Sequence, residues 1–104
     1  MIAILLLLVQ PGLQAAELHG NRRITVDNAN DKVSIRRLWY GDMNGESSWI
    51  EMPLDKPIPP HRQATFAMGS GTLCLYEFKV MFSDGYVQVI ENADVCRGDT
   101  IKAT

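Results

Sequence analysis

The stretch that most limits what this chain can fold into is Leu73 to Cys96, LCLYEFKVMFSDGYVQVIENADVC. Cys74, Tyr76, Phe78, Val80 and Phe82 fall at every second position with Glu77 and Lys79 between them, the period of a strand with one buried face. Asp84-Gly85 follows between two such runs, a strong hairpin signal, because glycine takes positive φ freely and aspartate tolerates it. With these two as the loop, Phe82 faces Val87 and Val80 faces Val89, so apolar side chains meet across the sheet. Carried on unbroken, that pairing sets Glu91 opposite Phe78 and leaves Cys96 one residue out of line with Cys74. One extra residue within Glu91-Asn92-Ala93, a β-bulge, turns Glu91 outward and brings the two cysteines face to face. The expectation is an intramolecular Cys74–Cys96 disulfide across the open end of the hairpin.

A disulfide calls for an oxidising compartment, and the start of the chain supplies a route to one. Ile2 to Val9 is an unbroken apolar run followed by Pro11-Gly12 and Leu13-Gln14-Ala15-Ala16, which reads as a secretory signal peptide over residues 1–15. The run is far short of the ~20 apolar residues that cross a bilayer. Residues 16–21 read as a flexible arm and 22–104 as one domain, periplasmic or secreted, with no membrane span once the leader is removed. So small a domain buries a modest core, and a disulfide is the usual supplement.

Further strands follow from alternation and turn residues. Ile24 and Val26 point inward from a first strand ending at Asn28-Ala29-Asn30-Asp31. Val33 and Ile35 hold one phase and Leu38 and Tyr40 the other, which places a bulge at Arg36-Arg37. Residues 41–48 are a polar loop, and the prolines at 53, 57, 59 and 60 make residues 52–60 an extended crossover along a sheet edge. Gln63 to Ala67 and Thr100 to Ala103 complete the set. Short strands at this spacing, with no helical period after residue 20, predict an all-β fold: a small antiparallel β-sandwich, immunoglobulin-like or transthyretin-like, with one stapled hairpin.

The search for chemistry is mostly a search that fails. The formal charge of −2, with signs interspersed, argues against nucleic acid. Arg22-Arg23 and Arg36-Arg37 read as solvated strand positions. His19 and His61 with the two cysteines match no zinc-finger spacing, so no metal and no cofactor is expected. Asp27 to Asp31 lacks the glycine and glutamate of a calcium loop. A catalytic reading would need Asp42, Glu46 and His61 to converge in a pocket. What remains is aromatic. Trp39, Tyr40 and Trp49 bracket the 41–48 loop, and with Asp42 and Asn44 they form a candidate binding surface. The competing assignment buries Trp49 at one end of the core and packs Trp39 under the loop.

The chain resembles a family of small exported proteobacterial proteins with a two-cysteine hairpin. The likeness rests on Ile24-Thr25-Val26-Asp27-Asn28, Ile35 to Trp39, Ser47-Ser48-Trp49, Ile58-Pro59-Pro60 before Thr65-Phe66, and a closing block. In that block Cys74, Tyr76, Glu77, Phe78, Lys79, Val80, Asp84, Gly85, Val95 and Cys96 fit. His61 stands where the family tends to have Gly, and Ile50-Glu51 departs from its Gly-x-Asp. The resemblance implies an exported β-domain and brings no catalytic residues. The expected function is a non-enzymatic binding domain for a protein or glycan of the cell envelope. The alternative is an inhibitor or accessory subunit of a cell-wall hydrolase or secreted protease. A monomer is expected, or a weak dimer through an exposed edge strand near Ile24.

Overall fold

The structure is a computed structural model that describes residues 18–43 and 48–104. The expected leader, Asn44 and Glu46 lie outside the described residues. Seven strands follow in order: β1 (His19–Asn28), β2 (Ile35–Asp42), β3 (Ile50–Met52), β4 (Gln63–Gly71), β5 (Leu75–Phe82), β6 (Val87–Asp94) and β7 (Thr100–Ala103). They form a three-stranded sheet, β4-β1-β7, and a four-stranded sheet, β3-β2-β5-β6. All neighbours are antiparallel except β1 and β7, which run parallel with Val26 beside Ile101. An immunoglobulin constant-type sandwich sets its first strand beside its second. Here β1 lies between β4 and β7, which leaves the transthyretin-like alternative.

The inward residues of both sheets form one core. Ile24 and Val26 face Ile35, Leu38, Phe78, Val80 and Phe82, all fully buried. The change of phase in β2 is a register shift between Ile35 and Arg37, and it lets Ile35 and Leu38 both point inward. The proline-rich crossover is pinned by reciprocal Ile58 and Ile35 main-chain bonds of 3.0 and 2.9 Å. Asn28, completely buried, organises the turn after β1. Its amide donates to the carbonyls of Val33 and Ile58, and its Oδ1 accepts from Asn30 N–H.

The hairpin differs from the expected register. Its loop has three residues, Ser83-Asp84-Gly85, closed by Phe82 N–H donating to Tyr86 O at 2.8 Å. Gly85 takes the positive φ, +91°, that this loop needs at its last position. The extra loop residue slips the pairing by one, so Val87 faces Met81 and Val89 faces Lys79. A one-residue slip reverses every side chain. Val87 and Val89 are therefore 40% and 47% exposed, while Ile90 packs against the core. The bulge falls where expected, between the Phe78–Ile90 and Tyr76–Ala93 pairs, with Asn92 at φ +62°. It reverses the phase again and buries Ala93 and Val95.

The disulfide is present, with Cα atoms 5.1 Å apart. The cysteines are not opposed in the ladder, because Val95 N–H donates to Cys74 O at 2.8 Å and takes that place. Cys96 reaches back because the chain curls after β6, where the Asp94 carboxylate accepts from Cys96 and Arg97 N–H.

Three further expectations are corrected. The first strand begins at His19, so residues 19–21 of the expected arm are strand. That strand is central, not an edge, because both its sides are paired. Arg22 is buried at 8% exposure rather than solvated. Its guanidinium donates to the carbonyls of Met68, Gly69, Ser70 and Leu73 and to the Tyr76 hydroxyl. It clamps the whole β4–β5 connection.

Candidate functional site

Two surfaces emerge from the aromatic residues around the 41–48 loop. Trp39 and Trp49 share the outer face of the four-stranded sheet. In a strand successive side chains alternate, so Trp39 points away from the core that holds Leu38. Its cross-strand neighbours are Lys79 and Glu51. The Lys79 ammonium lies 4.6 Å from the Trp39 ring centre and 4.9 Å from that of Trp49, and Arg37 lies 4.8 Å from Trp39. Arg37 also forms a two-pronged pair with Glu51 at 2.8 and 2.9 Å. That hydrogen bond holds the Glu51 carboxyl below its ordinary range. The rings are thus held in a ladder of cations. Trp49 can approach the strand this closely because Gly41 has no side chain. A Cβ at Gly41 would sit 3.3 Å from the Trp49 ring.

Tyr40 goes to the other side. It packs edge-to-face on Tyr76, with ring centres 5.5 Å apart, and helps line a cleft where β3 and β4 part. The cleft holds about 380 Å³ and is walled by Tyr40, Ile50, Met52, Phe66 and Met68, with Glu51 at its rim. Ile50 is 52% exposed at its mouth. Its volume falls at the low end of the range for ligand pockets, and it lies open to solvent. The expected surface therefore divides: Trp39 and Trp49 come together, Tyr40 belongs to the cleft, and exposed Asp42 ends β2 opposite Tyr76. The cleft was missed because its walls come from β2, β3 and β4, which no local pattern connects.

One wall is also a sheet edge that no strand among the described residues pairs with. Arg23 and Thr25 N–H donate toward the β7 side, to Val95 O and Asp99 O at 2.9 and 3.0 Å. Main-chain groups alternate along a strand, so Ile24 and Val26 bond Phe66 and Ala64 of β4. The main-chain groups of Gln63, Thr65 and Ala67 consequently face outward.

The other chemical candidates separate. His61 meets Asp31 at 2.8 Å beside the β1–β2 turn, with both side chains well exposed. Asp42 sits at the far end of β2, so His61 and Asp42 do not form a shared pocket. His19, in contrast, is brought to the disulfide, its ring nitrogen and both sulfurs lying within 4.8 Å of one another. No helix among the described residues is long and apolar enough to cross a membrane. Compared with known proteins, the chain matches no family model, no curated protein and no solved structure.

Proposed function

We propose that this is an exported, non-enzymatic binding domain that takes an extended segment of an envelope protein along the free edge of β4. The observation that carries this reading is the apolar cleft beside that edge. A strand laid along β4 hydrogen-bonds to the outward groups of Gln63, Thr65 and Ala67. Its alternate side chains then enter the space between Phe66, Met68 and Ile50. The disulfide and the resemblance to exported two-cysteine proteins support a periplasmic or extracellular setting. A glycan ligand has less support, since Trp39 and Trp49 are engaged by Lys79 and Arg37.

The test is capture from envelope extract by immobilised protein, with folding checked by circular dichroism. Ile50→Asp puts a charge at the mouth of the cleft. Thr65→Pro removes an outward N–H while sparing the main-chain bonds to β1, at the loss of the 2.9 Å hydroxyl bond to Thr25; an edge strand tolerates proline at such a position. Both variants should lose the partner and Trp39→Ala should keep it. Capture that survives both substitutions, or no capture at all, refutes the proposal.

A further inference from the structure

His19, Cys74 and Cys96 form a cluster whose ligand chemistry changes with the state of one bond. The imidazole nitrogen and the two sulfurs lie within 4.8 Å of one another, and all three residues are partly open to solvent. His19 is set there by the first pair of the β1–β4 ladder, opposite Gly71, close to the point where the chain turns toward Cys74. While the disulfide is closed, the sulfurs carry no charge and the cluster is a staple beside a histidine.

The geometry points to a redox-gated metal site. A dithiol reductant delivers two electrons and two protons, the S–S bond breaks into two thiols, and the reductant leaves as its own disulfide. Zinc-class cations then displace the two thiol protons and are bound by two thiolates and the His19 imidazole, with the fourth position left to water. Two soft thiolates with one imidazole form a donor set that suits Zn²⁺. Thiolates on one zinc stand roughly 3.8 Å apart, from tetrahedral geometry and Zn–S bonds of ~2.3 Å. Residues with Cα atoms 5.1 Å apart reach that spacing by side-chain rotation.

Bonds other than the disulfide keep the two cysteines in place after reduction, and the pairing with Gly71 keeps His19. Val95 N–H holds Cys74 O at 2.8 Å, the Asp94 carboxylate holds Cys96 N–H at 3.0 Å, and Arg22 Nη1 holds Leu73 O at 2.8 Å. Metal and disulfide are thus two alternative staples for the same end of the hairpin.

The experiment titrates Co²⁺ and then Zn²⁺ into protein kept reduced with a phosphine under nitrogen. Reduced wild type should show the absorption of thiolate-ligated tetrahedral Co²⁺ at one ion per chain, bleached by Zn²⁺. His19→Ala should bind at least about tenfold more weakly, since losing a ligand costs no less than losing a group that only orients one. The oxidised protein and the Cys74→Ser/Cys96→Ser double variant should show no such bands. Circular dichroism covers the case in which reduction unfolds the chain: Zn²⁺ must then restore the strand signal. No bands in the reduced protein, equal affinity in His19→Ala, binding by the oxidised form, or binding without refolding each overturn the site.

Discussion

Arg22 and Tyr76 meet across the edge of the sandwich, with Arg22 Nη1 donating to the Tyr76 hydroxyl at 3.0 Å and the guanidinium carbon 5.9 Å from the ring centre. The pair joins the two sheets beyond their apolar contact, because Arg22 belongs to β1 and Tyr76 to β5. Replacing Arg22 by Met keeps the bulk but leaves four carbonyls and a hydroxyl without their donor. The expected loss is about 2–4 kcal/mol, since a buried group stripped of its partner costs its full desolvation. Arg22→Lys should lose nearly as much, because one ammonium cannot reach five acceptors. Tyr76→Phe should cost only about 1 kcal/mol, the worth of a single hydrogen bond. Urea denaturation midpoints would rank the three; an undisturbed Arg22→Met midpoint would contradict the clamp.

Gly71 and Gly20 should respond oppositely to the same substitution. A Cβ at Gly71 would lie 2.8 Å from Arg22 Nη2, whereas one at Gly20 would meet nothing within 4 Å. Gly71→Ala is expected to push Arg22 off its carbonyls and lower the thermal midpoint. Gly20→Ala should leave it unchanged or raise it slightly by restricting the unfolded chain. Equal midpoints for the two variants would show that Arg22 can move aside freely.

The disulfide closes a loop of sequence separation 22. Its removal by Cys74→Ser with Cys96→Ser should cost ~2–5 kcal/mol, the usual loss when a small domain gives up a native disulfide. Thiol titration of the denatured, unreduced protein should find no free thiol, and two free thiols would contradict the bond.

Acid should weaken the turn after β6. The Asp99 carboxyl is held below its ordinary range, first by the Arg97 side chain and then by Asp94 N–H, which it accepts at 2.9 Å. A folded-state pKa below the unfolded one stabilises above the unfolded value and loses that stability as pH falls through the folded value. Stability should therefore decline below about pH 4, the unperturbed carboxylate range. Asp99→Asn should flatten part of that decline, as followed by denaturation between pH 2 and 6. An identical acid slope in Asp99→Asn would assign the effect to other carboxylates, such as Glu51 beside Arg37.

By itself the sequence determined the elements that depend on local period and turn chemistry. Ile24, Val26, Leu38, Phe78, Val80 and Phe82 were legible as core because strand alternation is a property of the chain. The bulge at Arg36-Arg37 showed as a break in that alternation, the one within Glu91-Asn92-Ala93 as a one-residue misfit between the two cysteines, and those cysteines lay at the ends of one hairpin. Only the tertiary structure decided which strand neighbours which, and so whether β1 is an edge. Loop length decided the phase of Val87 and Val89, because one added residue costs little locally yet turns a whole strand over. The burial of Arg22, the cleft between β3 and β4, and the approach of His19 to the disulfide all join residues far apart in sequence. Such contacts depend on the positions of whole strands, and no pattern within a single strand encodes them.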